Sequence, residues 1–182
     1  MNQSMFDIIL DRAKRVMQLD QPVFRTIARD PNATQQAAIV VGVVAIASAI
    51  GGASEGIGGI IFGIIGALVG WLIFAGLAWF FGTNIFGTPT TTTNWESLLR
   101  TLGYAQAPNV LAIFGFIPVL GWLAALVGSI WAIVTAIVAI RETLAFSTGR
   151  AIITAIIAAI ATGLVMAILG FIFGVPYLAL SS

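Results

Sequence analysis

At 182 residues the chain has the length of one ordinary soluble domain, yet 59% of it is hydrophobic and only 8% is charged, where soluble domains run at about 45–50% and about 25%. That balance excludes a water-exposed globule and points to a lipid bilayer as the solvent. Cysteine and histidine are both absent, which excludes disulfides, thiolate nucleophiles, Cys/His metal sites and the side chain that titrates near neutral pH.

The formal net charge of +1 hides an asymmetry, because five of the eight basic residues (Arg12, Lys14, Arg15, Arg25 and Arg29) precede the first apolar run. Residues 1–35 contain no apolar h-region of a cleavable signal, so the first span is expected to act as the targeting signal. Within this lead-in, residues 6–19 read as an amphipathic helix, with Phe6, Ile9, Leu10, Val16 and Met17 toward one face and Asp11, Arg12, Lys14 and Arg15 toward another. Two readings are open: a helix lying at the headgroup level of an anionic leaflet, and a solvated helix packed on the rest of the protein.

Asp30-Pro31 marks the next helix start, since Asp is a favoured N-cap and Pro fits the first helical position. The helix turns apolar at Ala37 and stays so to Ile50, short for a hydrocarbon core that takes about 20 residues. The polar residues 32–36 are expected to sit in the interface and make up the length, giving a first span at 36–52. A glycine-rich turn carrying Glu55 leads into a second span at 59–81. After a loop with threonines at 88 and 90–93, interrupted by Pro89, Thr93-Asn94-Trp95-Glu96 has the form of a capping box,. It opens a third span at 97–116, bent or broken near Pro108 and ended by Pro118,. The fourth span runs 119–140 and the fifth 151–175, joined by a polar connection holding Arg141, Glu142 and Arg150, and Pro176-Tyr177 is expected to close the last helix. These runs are continuously apolar, whereas a transmembrane barrel needs alternating segments of about 10 residues. The expected fold is therefore all-α: a cytoplasmic lead-in at 1–35 and a five-helix transmembrane domain at 36–182.

Orientation follows from the cations. With five spans, Arg12, Lys14, Arg15, Arg25, Arg29, Arg100, Arg141 and Arg150 all fall on the N-terminal side, and the opposite side holds no Lys or Arg. The positive-inside rule then puts the N-terminus in the cytoplasm and the C-terminus outside.

Two patterns are candidate sites. Gly59, Gly63, Gly66 and Gly70 follow a four-three-four rhythm on one face of the second span, and small residues line faces of the first (Ala38, Gly42, Ala45, Ala49), fourth (Gly121, Ala125, Gly128, Ala132) and fifth (Ala151, Ala155, Ala158, Thr162). In lipid, helices associate through close approach of such faces, so the glycine face reads as intramolecular packing or as a homo-oligomer seam. The second pattern is a polar strip in the third span, Arg100, Thr101, Tyr104, Gln106 and Asn109 beside Pro108. Polar groups at membrane depth mark ligand paths or inter-helix contacts; the plainer reading is that this helix begins among the headgroups. Glu96 and Arg100, four apart, are expected to pair.

No charged residue sits mid-span, so a conventional ion-coupled carrier is not expected. Serines and threonines lack a His partner, and no catalytic, metal or cofactor site is expected. Trp79, Phe80 and Phe81 on the second span and Trp122 on the fourth read as interfacial belt residues, and Trp71 and Trp131, nearer mid-span, as ligand-facing or, more plainly, as packing or lipid contacts.

Three stretches give the chain a familiar layout: Phe24-Arg25 with Asp30-Pro31-Asn32-Ala33-Thr34-Gln35-Gln36-Ala37; Trp95, Leu98, Gly103-Tyr104 and Pro108; and Trp131 with Ala139-Ile140-Arg141-Glu142. In these the chain resembles the Yip family of Ypt/Rab-interacting membrane proteins, most closely its shorter prokaryotic members. The resemblance implies a cytoplasmic N-terminus followed by five spans and, in eukaryotes, partners among prenylated small GTPases in vesicle traffic. The acidic-Leu-Tyr-Gly-Pro stretch of the larger members is missing here, and the resemblance supplies no functional residue. The expected function is a non-enzymatic protein of a prokaryotic inner membrane that binds or organises other membrane components. Its expected partners are the bilayer, other membrane proteins and a second copy, with no nucleic acid. Two alternatives stand beside it: an accessory subunit of a larger energy-transducing or secretion complex, and a small-solute pore built on the polar strip.

Overall fold

The computed structural model describes residues 4–51, 56–87, 91 and 93–180, with side chains described except at 56–59 and 173–180. Among these residues every regular element is helical: α1 (Met5–Met17), α2 (Gln21–Arg29), α3 (Ala33–Gly51), α4 (Gly56–Asn84), α5 (Trp95–Tyr104), a 3₁₀ helix (Ala107–Phe116), α6 (Leu120–Leu144) and α7 (Thr148–Leu180). Glu55 and the threonines at 88, 90 and 92 lie outside the described residues.

The lead-in holds two helices where the sequence pattern gave one. Ser4 caps α1, its Oγ accepting from the Asp7 N–H at 3.2 Å while its own N–H donates to Asp7 Oδ2 at 3.1 Å,. Leu19, at φ 58°, ends the helix as the N–H groups of Leu19 and Asp20 close on the carbonyls of Val16 and Arg15,. Pro22 then sits in the first turn of α2, where its missing N–H is harmless. Val23, Phe24, Ile27 and Ala28 form the buried stripe of α2. Asp30 is the C-cap of α2, and its Oδ1 accepts the Asn32 N–H at 3.0 Å. The expected helix start is thus a turn between two helices, with α3 regular from Ala33.

Four described helices are long and apolar enough to cross a membrane: Ala33–Gly51, Ile60–Asn84, Leu120–Leu144 and Thr148–Ile172. The segment expected as a third single span is divided. Asn94, rather than Thr93, caps α5 by accepting from the Ser97 N–H at 3.1 Å, because the Thr93 hydroxyl is already committed to the Thr143 carbonyl at 2.9 Å. α5 stops at Tyr104, and the chain resumes as the 3₁₀ helix with Pro108 in its first turn. Proline removes an N–H and crowds the preceding turn, which breaks the α ladder. The Ala105 carbonyl at the break accepts from Thr135 Oγ1 at 2.8 Å. α7 runs on through Pro176 to Leu180 instead of closing there.

Close approaches fix how this broken segment lies. A Cβ on Gly103 would stand 2.7 Å from the Ala37 Cβ and 3.0 Å from the Trp71 ring; one on Gly115 would stand 2.7 Å from the Gly51 carbonyl oxygen. The segment therefore runs alongside α3 from Ala37 to Gly51, in the same direction. α6 returns beside it, with Gly121 against the backbone at Phe114 and Gly115, and Gly128 against the Pro108 carbonyl.

The buried core gathers at the end of the bundle that carries α1 and α2. Phe24 and Ile27 of the lead-in, Leu98, Leu102 and Tyr104 of α5, and Ala139, Ile140 and Leu144 of α6 belong to one cluster. Toward the other end Ile61, Ile65, Leu126, Ile130 and Leu164 are exposed, as lipid-facing positions are.

The two kinds of glycine separate by experiment. Gly103→Val drives a branched side chain into Ala37 and Trp71 and is expected to cost about 1–3 kcal/mol as overpacking. Gly63→Ala has nothing within 4 Å of its Cβ and is expected to leave the melting temperature of the detergent-solubilised protein unchanged or slightly raised. Thermal unfolding of the two purified variants checks both.

Candidate functional site

The polar strip of the third segment divides into two sites. The first lies at the junction between lead-in and bundle. Gln36 Oε1 accepts from Arg12 Nη1 at 2.7 Å and from the Tyr104 hydroxyl at 2.8 Å, with Tyr104 fully buried. Arg12 also pairs with Asp30, Nη2 to Oδ2 at 2.7 Å. Arg100 does not pair with Glu96 among the described residues. Its Nε donates to Thr34 Oγ1 at 2.8 Å and its Nη1 to the Ala28 carbonyl at 3.0 Å, where Ser97 Oγ also donates at 3.0 Å. A cation on the last carbonyls of α2 suits both their hydrogen bonding and the helix dipole. Thr101 shares a hydrogen bond with Thr143 at 3.0 Å.

A second clamp holds α2 to α6. Glu142, with its side chain 6% exposed, pairs with Arg25 at 2.7 Å and Arg141 at 2.8 Å. Trp131 Nε1 on α6 donates to the Met17 carbonyl at 2.8 Å. The inner face of α1, Ile9 and Val16, is buried on the protein, while Met5, Phe6 and Leu10 remain exposed. Packing on the rest of the protein thus holds for the inner face, and the outer face leaves an apolar surface exposed.

Lys14, Arg29 and Arg150 are exposed and their side chains enter no described hydrogen bond or ion pair, so three free cations remain on this end of the molecule. Asp30 belongs to the junction rather than to that free set. Burial pushes its carboxyl upward, but the Arg12 hydrogen bond, the Asn32 amide and the charges of Arg12 and Arg100 outweigh it and leave it below the ordinary carboxylate value.

The second site is a chamber of about 1230 Å³ toward the other end, walled by α3, α4, α6, α7 and the break after α5. Gln106 and Asn109 reach it, and Asn109 Nδ2 donates to Gln106 Oε1 at 2.8 Å. The glycine face of α4 behaves differently from a packing seam. Gly63 and Gly70 line the chamber, no atom comes within 4 Å of a Cβ at Gly63 or Gly66, and the surroundings of Gly59 lie outside the described residues. On α7, Ala151, Ala155 and Ala158 are buried, whereas Thr162 lines the chamber. Trp71 is buried, and its Nε1 donates to the Leu99 carbonyl at 2.9 Å, so it packs against α5 while its side chain also lines the chamber. No group of His, Cys, Asp or Glu able to hold a metal occurs among the described residues.

Sequence reasoning singled out Arg100, Tyr104, Gln106 and Asn109 but missed their partners Arg12, Thr34 and Gln36. The usable signal was Gln36, a polar residue at the entry of an apolar helix. Equally, the spacing of Val23, Phe24, Ile27 and Ala28 after Pro22 announces α2.

The elements define an all-helical membrane protein with several apolar helices and a folded polar lead-in. The chain belongs to the Yip family: the family model of the Yip1 domain matches residues 17–170. No curated protein and no solved structure matches the chain. Several of the residues that carried the resemblance lie at the junction and the α2–α6 clamp. Phe24 is fully buried, Asp30 meets Arg12, Gly103 closes on α3, Tyr104 meets Gln36, and Glu142 holds Arg25.

Because the folded value of Asp30 is lowered, its stabilisation is complete above the ordinary carboxylate pKa of about 4 and is lost as pH falls through the folded value. Asp30→Asn is expected to lower the melting temperature at pH 7. The gap to wild type is expected to stay constant down to about pH 5 and narrow below about pH 4. Melting curves of both proteins across that range check it.

Proposed function

We propose that this Yip-family protein is a non-enzymatic, five-pass protein of a prokaryotic plasma membrane that binds and organises other membrane proteins through the face built by α1 and α2. The observation that carries the reading is the docked lead-in. It is clamped to the bundle at Arg12–Asp30, Arg12–Gln36 and Arg25–Glu142. A lead-in serving only to target the chain needs no such clamps, whereas a rigid recognition face does. The free Lys14, Arg29 and Arg150 suit acidic segments of a partner.

Five crossings are supported by length. The ten residues of α5 rise about 15 Å and the ten of the 3₁₀ helix about 20 Å, together enough for a hydrocarbon core of about 30 Å. The parallel course of this segment beside α3 supports the same count, and all eight cations then share one side. The 1–35 lead-in and the 141–150 connection are cytoplasmic on this reading, and the far ends of α3 and α6 face outward. The packing of the cytoplasmic half, with Tyr104 and Ile140 fully buried, supports binding over conduction.

The cysteine-free chain makes the topology easy to test. Ser147→Cys is expected to react with an impermeant maleimide only from the cytoplasmic side, and Trp122→Cys only from outside. Labelling of both from one side, or the reversed pattern that a third segment turning back within the membrane gives, removes the five-pass reading. Reversing the free cations (Lys14→Glu, Arg29→Glu, Arg150→Glu) is expected to abolish co-isolation of partner membrane proteins in mild detergent while leaving the melting temperature unchanged. Partners that co-purify equally with the triple variant count against the face.

A further inference from the structure

The chamber has a chemistry of its own, separate from the α1–α2 face. Among the described residues its lining carries no charged side chain. A phosphate or ammonium group placed there is desolvated with nothing to pair it, which costs several kcal/mol or more. Whatever enters is therefore neutral in the part that enters.

The amide pair sets the next constraint. Asn109 Nδ2 donates to Gln106 Oε1, which leaves the Gln106 amide donors and the Asn109 carbonyl without a partner among the described residues. Exchanging nitrogen and oxygen on both side chains changes the direction of the bond but not the result, since one donor and one acceptor stay free either way. A hydroxyl uses both at once, donating to the free carbonyl and accepting from the free amide. Of the hydroxyls on the walls, those of Ser129 and Thr162 already donate to the Leu126 and Ala158 carbonyls at 2.9 and 2.7 Å, while that of Ser48 on α3 has no partner among the described residues.

The walls complete the description. Ala45, Ala49, Gly63, Gly70, Ala132 and Ala159 present small apolar surfaces, and nothing occupies the space a Cβ at Gly63 would enter. Away from the amide pair these walls supply few of the roughly two to four polar partners that hold a water in a cavity,. Hydrocarbon from the surrounding bilayer does fit them. At about 1230 Å³ the space exceeds the usual small-molecule site of about 300–1,000 Å³, as a long chain requires.

We propose that the chamber is a binding site for an uncharged, long-chain amphiphile of the bilayer, whose hydroxyl head meets Gln106 and Asn109 and whose chain lies along the glycine face of α4. Diacylglycerol is the simplest member of that class and is the probe of choice.

The full-length protein is reconstituted in phosphatidylcholine vesicles with a photoactivatable diacylglycerol or, in parallel, a photoactivatable phosphatidylglycerol carrying the same chain. Diacylglycerol adducts are expected on the chamber faces of α3 and α4, near Ala49 and Gly63, and unlabelled diacylglycerol is expected to compete them away. Gln106→Leu with Asn109→Leu is expected to lower their yield about tenfold. Gly63→Leu fills the chamber from the opposite wall without touching the amide pair and is expected to lower it as well, so the test survives if the double variant fails to fold. Equal yields from the two probes, adducts confined to outward residues such as Ile61 and Ile65, or indifference to both variants overturns the proposal. So does a Ser48→Cys protein that reacts fully with an impermeant maleimide and is not protected by diacylglycerol, because the chamber is then aqueous.

Discussion

One oxygen atom, Gln36 Oε1, organises the molecule. It accepts from Arg12 of α1 and from Tyr104 at the end of α5, so a single acceptor joins the lead-in, the first apolar helix and the broken third segment. Arg12 reaches this depth only because Asp30 neutralises it at 2.7 Å. Remove the acceptor and a buried phenol and a guanidinium lose a partner together, which is why such a network is all or nothing. The lead-in cannot be lifted from the bundle without exposing Phe24 and Ile27 and breaking that set.

The break after Tyr104 follows from the same arrangement. An unbroken helix would carry the chain past the junction with its Pro108 ladder unsatisfied. Instead the helix stops where Tyr104 is anchored, Thr135 takes up the Ala105 carbonyl, and the chain continues in the longer rise of a 3₁₀ helix. Runs of that kind beyond about four residues are uncommon. Here the run is held between Gly51 on α3 and Gly121 and Gly128 on α6, where the absence of Cβ atoms lets three backbones approach. Gln106 and Asn109 lie beside this break, which is how two amides come to face a chamber walled by alanine and glycine.

Much of this was legible in the chain. Continuous apolar runs gave the helical class, Pro108 gave the break, and the strip from Arg100 to Asn109 gave both amides of the chamber and half of the junction. The other half of the junction was not legible, because hydrogen-bond partners such as Gln36 and Tyr104, 68 residues apart, leave no local signal. α2 was legible in the spacing of Val23, Phe24, Ile27 and Ala28 but passed over among the polar residues that bracket them. Small residues misled in a different way. A small face records only that the space beside it is kept free of side chains, and sequence does not say whether a neighbouring helix or a void takes that space.

Both outcomes occur in this bundle, and their distribution has a physical logic. Gly103, Gly121 and Gly128 meet backbone or ring atoms and bind the helices to the broken segment, whereas Gly63, Gly66 and Gly70 on α4 meet almost nothing. A helix with a bare glycine face in lipid gains no packing from it and gives up about 0.5–1 kcal/mol per glycine relative to alanine. Three such residues therefore amount to a standing loss of roughly 1.5–3 kcal/mol, tolerable only because the junction at the other end supplies the stability. The molecule thus separates a packed half, which fixes the fold, from a loose half, whose small residues keep a volume open.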